Sequence, residues 1–575
     1  MIRKLAPSVK QYKGYAILAP ICVVLEVLCE VFIPFIMTKL VDNGISMQNM
    51  QVVIKYGTVM ISLAILALGF GLLSARFTVV ASMGFGANLR EEMFRKVQNF
   101  SYANVDKFST GSLITRFTTD VGFVQMAFTI LVRIAFRAPV MLTLSVIMIF
   151  FINPIIAIIF LVSIPVVWGS IILAAKFVVP LFEKLFDKFD NLNNRVKENL
   201  GAIRVVKSFV REDHETDNFR HAAEDLKNAQ VKAEKLLVYA GPAMNILTYI
   251  ITILVVWLGG IKIMKGEMSV GGIAGTIGYI GQFLMSLLMV AMVFVNLFMS
   301  RASAKRVIEV LDEIPTIRDD EADANLKVKE GSVTFENVSF KYKADAENDV
   351  LSNINFEVLP GQTIGIVGGT GSGKSSVVQL IPRLYDVTEG SIKVGGIDVR
   401  EYKIDELRQA VGMVLQNNTL FSGTIEENLR WGDMDATQEE IEKACKVASA
   451  HDFIMGFPDG YQSMITQEGT NVSGGQKQRL CIARALLKKP KILILDDSTH
   501  AVDSTTERAI RDAIKKDVAG TTLIIIAQRI ASVIDADKII VIDDGKINGI
   551  GTHKELMKTN DIYKEIYSSQ QGGVM

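Results

Sequence analysis

Six separate stretches of this 575-residue chain are long and apolar enough to cross a bilayer, and this feature limits the possible folds more than any other. A helix needs about 20 consecutive apolar residues to span the hydrocarbon core. No such stretch follows Ser300. The sequence therefore predicts an all-α membrane domain followed by a soluble region. The stretches lie at about 15–37, 57–80, 129–152, 154–175, 242–264 and 272–299.

Two connections between these stretches are long, about 50 residues between the second and third and about 65 between the fourth and fifth. Both are rich in Lys and Arg, which places them, the N-terminus and everything after Ser300 in the cytosol. Apolar residues keep helical spacing there, as at Leu89, Met93 and Val97. We therefore expect the membrane helices to extend into the cytosol and to turn over at docking segments near 111–120 and 199–209.

Charged residues within the first and third predicted spans are Glu26, Glu30, Arg133 and Arg137. Glu26 and Glu30, spaced i and i+4 in the first span, are costly when ionised unless they face water, a partner or a cation. They either attract a cationic amphiphile in a central cavity or have a structural role, and the sequence leaves both open. Arg133 and Arg137, near the cytosolic start of the third span, are expected to snorkel to lipid headgroups.

The sixth span is rich in Met and Phe. Such a lining adapts to many apolar ligands, although contact with lipid or with another helix explains the same stripe. The residues are Met285, Met289, Met292 and Met299 with Phe283, Phe294 and Phe298.

Charge and cysteine content exclude several classes of protein. Lys plus Arg and Asp plus Glu number 61 each, so no overall field favours nucleic acid as a partner. With half of its residues apolar and a mean hydropathy of +0.32, the chain is too apolar for an ordinary soluble enzyme. The four cysteines form no CxxC pair and are predicted to be small buried hydrophobes.

Beyond residue 331 the pattern becomes that of a soluble α/β domain. Residues 363–367 and 492–495 are continuous apolar runs, predicted as buried strands. Apolar residues recur across 333–342 as in an edge strand. The expected domains are therefore a membrane domain at 1–311, an acidic linker at 312–330 and an α/β domain at 331–575.

A phosphate-binding loop follows the first buried strand and opens a helix. Its backbone N–H groups are expected to approach nucleotide phosphates, Lys374 to reach the β and γ phosphates, and the Ser375 hydroxyl to bind Mg²⁺. The second strand ends in Asp496, a carboxylate suited to hold Mg²⁺. The pattern predicts binding of ATP with Mg²⁺. The loop residues are Gly368, Gly369, Thr370, Gly371, Ser372, Gly373, Lys374 and Ser375.

Between these two elements lies a motif that resembles the signature sequence of ABC transporters. Its residues include Ser473, Gly474, Gly475 and Gln476. Further family elements are Tyr342 in place of the aromatic that stacks on adenine, Gln416 as the Q-loop glutamine near Mg²⁺, and 498–503, ending in Asp503, as the D-loop. The resemblance covers the whole chain, because six spans with two long cytosolic extensions match the membrane half of an exporter. It implies a P-loop ABC ATPase domain that drives export.

In this family the signature lies at a helix start and contacts the γ-phosphate of ATP held on the other subunit's phosphate loop. Two nucleotide domains must therefore pair head to tail. A chain with one such domain is expected to need a second half-exporter as partner.

Two positions depart from the family's hydrolytic site. The family's catalytic base is a Glu directly after the Mg²⁺-binding Asp, but this chain has Asp497, and Gln528 replaces the switch histidine. Asp is one methylene shorter than Glu, and a misplacement of about 1 Å can cost around a hundredfold in rate. Gln cannot carry charge or share a proton as imidazole can. The pair resembles the degenerate-site subunit of bacterial heterodimeric multidrug exporters, in which one composite site hydrolyses ATP and the other mainly holds it.

The expectation is a subunit of a heterodimeric exporter of drugs or other small lipophilic or cationic compounds in a bacterial plasma membrane, with its N-terminus and nucleotide domain in the cytosol. Two alternatives stay open. One is a dedicated lipid, peptide or metabolite exporter subunit. The other is a regulatory subunit that binds ATP and changes shape without supporting transport.

Overall fold

The computed structural model describes residues 2–571 apart from 321, 344, 498–501 and 519. The chain divides into two compact units, described separately below. The first comprises Met1–Gln98 and Thr110–Glu313, and the second comprises Asn99–Ser109 and Ile314–Met575.

The first unit is entirely helical in its described part. Short π-helical segments at Val41–Ile45 and Arg116–Asp120 and a 3₁₀ segment at Ala6–Tyr12 interrupt or precede the α-helices. The α-helices are α1 (Ile2–Leu5), α2 (Lys13–Leu40), α3 (Met50–Gln98), α5 (Thr110–Thr115), α6 (Val121–Val132), α7 (Ile134–Ile152), α8 (Pro154–Gly201), α9 (Ile203–Ser208), α10 (Glu212–Val238), α11 (Ala240–Met264) and α12 (Val270–Asp312), while α4 (Tyr102–Phe108) belongs to the second unit.

Among the described residues, five helical segments are long and apolar enough to cross a membrane: Arg3–Ile45, Met50–Gln98, Thr110–Ile152, Gly241–Met264 and Val270–Asp312. The predicted span at 154–175 begins α8, whose described apolar portion is Pro154–Gly169. At 1.5 Å per residue, the 49-residue α3 is much longer than a bilayer core requires. The predicted all-α membrane domain with prolonged helices is confirmed.

Helices α2 and α12 approach each other closely. A Cβ on Gly275 would lie 2.9 Å from the Pro34 carbonyl oxygen and 2.1 Å from the Thr38 hydroxyl oxygen, so a side chain there would require α2 or its side chains to shift. The buried Tyr279 donates from its hydroxyl to the Val31 carbonyl over 2.6 Å. These contacts hold the two helices side by side along the shared core of the unit, which also includes residues of α7, α8 and α11.

The first long connection turns over at 99–109. The prediction that it turns over at 111–120 was wrong. Helix α3 ends at Gln98, and α4 begins after Ser101, whose side chain and that of Asn104 form a capping box. Such a reciprocal cap starts a new helix. Residues 111–120 instead lie in α5 and the following π-helical segment, which lead back toward the third span.

The second long connection turns over where it was predicted. Helix α8 ends at Gly201, α9 covers Ile203–Ser208, and α10 starts at Glu212. None of the α9 residues is buried within the described chain. Docking of this segment on a partner stays a prediction.

The second unit contains a six-stranded sheet in the order β12-β11-β3-β10-β9-β6, a four-stranded antiparallel sheet in the order β2-β1-β4-β5, and the pair β7-β8. Neighbours from β11 to β6 are parallel, whereas β12 is antiparallel to β11. The strands are β1 (Val333–Phe340), β2 (Leu351–Val358), β3 (Thr363–Gly368), β4 (Glu389–Val394), β5 (Ile397–Asp398), β6 (Val411–Val414), β7 (Gly423–Thr424), β8 (Met464–Ile465), β9 (Ile492–Asp496), β10 (Thr522–Ile526), β11 (Lys538–Asp543) and β12 (Lys546–Gly551).

The predicted buried strands at 363–367 and 492–495 are confirmed as β3 and β9. The prediction that 333–342 forms an edge strand was wrong, because β1 lies between β2 and β4. Its register shifts near Asn337, which has a φ of 50°, so the alternation of buried side chains breaks there.

Helices pack against these sheets, and buried apolar residues of the strands and helices form two cores in the second unit. The helices are α13 (Lys374–Leu380), α14 (Ile404–Ala410), α15 (Ile425–Arg430), α16 (Gln438–Val447), α17 (His451–Met455), α18 (Gly474–Leu487), α19 (Ser504–Asp517), α20 (His553–Thr559) and α21 (Asp561–Gln571).

Candidate functional site

Four predicted nucleotide-site elements meet at one edge of the parallel sheet. Gly368 ends β3 and Asp496 ends β9, while Gln416 follows β6 and Gln528 follows β10. The carboxyl ends of parallel strands share one edge, which is where open α/β sheets bind ligands. The register places Asp496 directly opposite Ile526, two residues before Gln528. Sheet topology thus brings together residues that are far apart in sequence.

The phosphate loop is shaped by its glycines. A Cβ at Gly368 would lie 2.0 Å from the Ile542 carbonyl oxygen, so no other residue fits there. Gly373 has a φ of 95°, a left-handed conformation that opens α13. A Cβ at Gly369 or Gly371 would meet no atom within 4 Å, so the loop presents bare backbone to open space. Ser372, by contrast, is buried. A backbone cradle of this kind fits phosphate groups.

The polar side chains of the loop are already engaged with neighbouring groups. Lys374 donates to the carbonyl oxygens of Gly368 and Gly369 over 3.0 and 2.6 Å. The Ser375 hydroxyl donates to an Asp496 oxygen over 2.9 Å. A hydroxyl beside a carboxylate is the oxygen donor set that Mg²⁺ prefers.

Burial changes the ionisation of these groups. Desolvation raises the pKa of Asp496, and the nearby Asp497 carboxylate adds to this, while the Ser375 hydrogen bond and Lys374 oppose it. Desolvation also lowers the pKa of Lys374, against the attraction of the two aspartates. A buried acid and a buried cation next to one another suit a ligand that carries both phosphate charge and a divalent cation.

Tyr342 lies beside the loop helix. It is 42% exposed, and its hydroxyl is 2.9 Å from the Ser376 hydroxyl and 3.3 Å from a Gln379 oxygen. Its ring packs edge to face against Tyr385, with centroids 5.0 Å apart. Sequence reasoning found Tyr342 but missed Tyr385, which no motif marks.

The two substituted positions contact each other. A carboxylate oxygen of Asp497 accepts hydrogen bonds from the Gln528 amide and, over 3.4 Å, from the Gln416 amide. Asp497 also has a φ of 45°, directly after the buried strand β9. The three side chains line a cavity of about 440 Å³ together with Asn417, Asn418, Gly474, Lys477 and Gln478. The carboxylate at the base position is therefore held by two amides.

The signature residues lie at a helix start, as predicted. Ser473 caps α18, accepting from the Gln476 backbone N–H over 3.2 Å and donating its own N–H to the Gln476 side chain over 2.9 Å. Gly474 and Gly475 form the first turn. This leaves backbone N–H groups of the first turn free for a phosphate.

Asp503 caps α19 and accepts from the Thr506 backbone N–H over 2.9 Å. Hydrogen bonds from Thr505 and Thr506 lower the pKa of Asp503. The predicted D-loop residues 498–501 lie outside the described residues.

Comparison with known proteins gives the family. The family described as ABC transporter transmembrane region matches residues 16–287, and the family described as ABC transporter matches residues 351–500. The uncharacterized ABC transporter ATP-binding protein YfiB of Bacillus subtilis is 36% identical over 564 residues, which cover 97% of each chain. This chain belongs to the ABC transporter family.

Further comparisons narrow the type of ABC transporter. A bacterial Atm1-family ABC exporter, solved with ATP bound, superposes with a TM-score of 0.82 at 26% identity, covering 97% of this chain and 98% of that one. The putative multidrug export ATP-binding/permease protein YgaD of Bacillus subtilis is 37% identical over 379 residues, 66% of this chain and 65% of YgaD. The chain is a half-transporter of the ABC exporter type, with a membrane domain fused to an ATPase domain that binds ATP.

In the membrane domain of this ABC exporter, Glu26 and Glu30 are paired with Arg137. The guanidinium donates to Glu26 over 2.5 Å and to both carboxylate oxygens of Glu30 over 2.9 and 2.7 Å. The expectation that Arg137 snorkels to headgroups was wrong. Two carboxylates on the adjacent α2 satisfy its charge within the membrane domain, where an unpaired charge would be costly. Periodicity alone could not show that α2 and α7 meet at this level.

The same cluster borders a second cavity, of about 360 Å³. Met141, Met285 and Met289 line it together with Glu30, Arg137, Gly281, Gln282 and Ser286. Of the predicted Met- and Phe-rich lining, Met285 and Met289 line this cavity and the other five residues do not; of the two predicted acids, Glu30 lines it and Glu26 does not.

Proposed function

We propose that this chain is the degenerate-site subunit of a heterodimeric ATP-driven exporter of drugs or other lipophilic compounds in a bacterial plasma membrane. It binds ATP on its own phosphate loop and supplies its signature to the partner's hydrolytic site. The observation that carries the proposal is the Asp497–Gln528 hydrogen bond at the positions of base and switch.

A general base must reach the attacking water and accept its proton. Asp497 is shorter than Glu by one C–C bond, roughly 1.5 Å, and one of its oxygens already accepts two amide hydrogen bonds. Gln528 donates to this carboxylate but cannot take up a proton. Both features weaken proton removal at this chain's own loop, so that loop mainly holds ATP.

The binding half of the site is intact. Backbone N–H groups of 368–375 and the Lys374 ammonium are arranged to hold phosphates, and Ser375, Asp496 and Gln416 are the residues that would hold Mg²⁺. When bound, the cation neutralises phosphate charge. Retention of this apparatus favours occupancy by ATP over loss of the nucleotide.

The signature also keeps its residues and its helix cap. Ser473, Gly474 and Gly475 start the 14-residue α18, whose dipole and free N–H groups favour an approaching phosphate. In a head-to-tail pair this surface serves the partner's ATP. An intact signature beside a weakened base supports a heterodimer with one working site.

A drug or lipophile as substrate is supported by the relative YgaD, whose name describes multidrug export, and by the Met-lined cavity, which suits ligands of varied shape.

The steady-state ATPase activity of the purified pair tests the proposed division of roles between the two sites. We expect Lys374→Ala to leave substantial hydrolysis and Gly474→Asp to nearly abolish it, because the added carboxylate repels the partner-bound γ-phosphate.

Gln438→Asp is a matched control for the second change. Gln438 is also the first residue of a helix behind a Thr437 capping box, and it is exposed and lies in α16. Gln438→Asp introduces a carboxylate at the first residue of a helix, as Gly474→Asp does, but away from the signature, so ATP hydrolysis should persist. If Lys374→Ala silenced the pair while Gly474→Asp spared it, this chain's own loop would be the working site. Transport that survives with Gly474→Asp would favour the regulatory alternative.

A further inference from the structure

Helix α21 reaches the loop that carries the switch position. It presents Tyr563, Ile566 and Tyr567 along one face, at spacings of three and four residues. Tyr563 is fully buried, with its hydroxyl 2.8 Å from His553 Nδ1, and Ile566 packs against the apolar core. Gln570 lies on the same face one turn further along. The packing of α21 therefore sets where the Gln570 carboxamide lies.

Gln570 bonds to the backbone at both ends of segment 528–530. Its Nε2 donates to the Gln528 carbonyl over 2.7 Å, and its Oε1 accepts from the Ile530 N–H over 2.9 Å. A carboxamide donates and accepts at once, so it matches a carbonyl and an N–H that lie two residues apart. One side chain of α21 thus holds the switch segment by two hydrogen bonds.

The regions on either side of this segment are held by the sheet and by the core. Where β10 ends, the Ala527 N–H donates to the Ile366 carbonyl over 3.1 Å. Beyond the segment, the side chain of Ile530 is 1% exposed and begins the 3₁₀ turn Ile530–Ser532. Gln570 adds the bond that fixes the Gln528 carbonyl, and with it the direction in which the Gln528 side chain leaves the backbone.

That side chain lies at the γ-phosphate end of the phosphate loop. The Gln528 amide donates to the Asp497 carboxylate. Asp497 is close enough to Lys374 to oppose the lowering of the Lys374 pKa. A lysine at this position of a phosphate loop reaches the β and γ phosphates. Gln528 is therefore held where a nucleoside triphosphate differs from a diphosphate.

We propose that Gln570 is a positioning residue for the γ-phosphate of ATP on this chain's own loop. It touches no nucleotide. It fixes the backbone of the switch position, so that the Gln528 amide is directed to donate to the γ-phosphate. The inference rests on the part of the proposed function in which this loop holds ATP, and it names a residue that makes the loop prefer ATP over ADP.

The test compares a triphosphate with a diphosphate. The full-length chain in lipid nanodiscs is titrated with the non-hydrolysable ATP analogue AMP-PNP and with ADP, both with Mg²⁺. Gln570→Met keeps an unbranched side chain of good helix propensity but has no carboxamide. We expect it to lower the affinity for AMP-PNP about fivefold, the size of one lost hydrogen bond. The affinity for ADP, which has no γ-phosphate, should not change.

A double-mutant cycle shows whether Gln570 acts through Gln528. Gln528→Ala should itself lower the affinity for AMP-PNP, and adding Gln570→Met to it should have no further effect. Gln462→Met is the matched control, because Gln462 is also exposed and its amide donates to Glu426 over 2.6 Å and not to the switch segment. The control should leave both affinities unchanged.

Three results would overturn the inference: no effect of Gln570→Met, an equal loss for AMP-PNP and ADP, or the same loss in the Gln528→Ala background. The last two are expected if Gln570 only supports the packing of α21. Neither ligand is hydrolysed, so failure here leaves the ATPase asymmetry between Lys374→Ala and Gly474→Asp unaffected. Conversely, a symmetric ATPase result would contradict the proposed function while the preference for the triphosphate could still depend on Gln570.

Discussion

Asp497 and Gln528 form a matched pair at the scale of single residues. Their side chains form a hydrogen bond across the ends of β9 and β10. The Gln528 amide donates to the Asp497 carboxylate and cannot itself take up a proton. Under the proposed function, the pair joins the ends of β9 and β10 while weakening proton transfer there.

This leads to a repair experiment. Asp497→Glu combined with Gln528→His should raise turnover at this chain's loop, because a correctly placed general base is worth roughly 10²–10⁴-fold. The gain can be measured only when the partner's site does not hydrolyse ATP. Both changes are therefore made in a pair that also carries Gly474→Asp, and its steady-state ATPase activity is measured.

The matched control is Asp497→Asn with Gln528→His, which restores the switch but offers no base. It should stay inactive. Recovery by the control as well as the repair would show that the missing base is not what limits this site, and an inactive repair would place the defect elsewhere.

At the scale of elements, α4 is anchored to the second unit by side chains from both sides. Asn104 donates to the Ile314 carbonyl over 3.1 Å and accepts from the Thr316 backbone N–H over 3.2 Å. On the opposite side, the Tyr385 hydroxyl donates to Asp106 over 2.7 Å. Burial and the Asp106 carboxylate raise the pKa of Tyr385, which keeps this donor protonated. Tyr385 in turn packs on Tyr342, so Tyr102 of α4 and Tyr342 share one aromatic neighbour.

Removing the buried contact of Asn104 should loosen α4 more than removing the exposed contact between Tyr385 and Asp106. Asn104→Ala leaves a backbone N–H and a carbonyl unpaired behind a residue that is 2% exposed, and it should speed amide exchange across 99–109 by about tenfold or more. Tyr385→Phe keeps the ring packing and loses only a bond to an exposed acid, so its effect should be smaller. Hydrogen–deuterium exchange of the purified pair measures both.

Tyr461→Phe serves as control, because its hydroxyl is 2.9 Å from His451 Nδ1 and not near α4. Exchange across 99–109 should not change there. Equal protection in Asn104→Ala and the unaltered chain would mean that α4 is held by apolar packing instead.

Much of this arrangement could be predicted from the sequence, and the exceptions have physical causes. Apolar length predicted the spans, and apolar runs predicted β3 and β9, because burial on both faces demands them. The first turnover was predicted at 111–120 and lies at 99–109, because the start of α4 depends on the reciprocal capping bonds between Ser101 and Asn104, which helical spacing of apolar residues does not report. The position of β1 depends on pairing with β4, from Val333 with Val394 to Ser339 with Glu389, and no local pattern reports a pairing between such distant residues.

The nucleotide site was predictable where chemistry imposes a motif, as at Lys374 and Asp496. Its supporting contacts were not, because Tyr385 acts through packing and carries no motif. In the membrane domain, Glu26 and Glu30 were found by their cost in lipid. Their partner Arg137 was missed, since the facing of α2 and α7 is a tertiary property.

At the scale of the whole molecule, the proposed division of labour has a direct test. The chain purified alone should show little ATPase activity, because a homodimer would place an intact signature opposite two loops that both lack Glu and His. Activity is measured on the detergent-purified chain and compared with that of the purified pair under the same conditions.

The repaired chain, with Asp497→Glu and Gln528→His, is the control for that measurement. It should hydrolyse ATP by itself, since each signature then faces a complete loop. Turnover by the unaltered chain at the rate of the pair would count decisively against a degenerate subunit.

Polar bonds inside the bilayer join α2, α7 and α12. Arg137 ties α7 to α2, and the Tyr279 hydroxyl ties α12 to α2. Where no water replaces a broken hydrogen bond, separating such groups costs several kcal/mol. We therefore expect the three helices to move together as a rigid group. If the proposed export function holds, we expect this side of the transport path to keep its shape during the cycle, so that release of a bound compound depends on movement of the partner's facing helices.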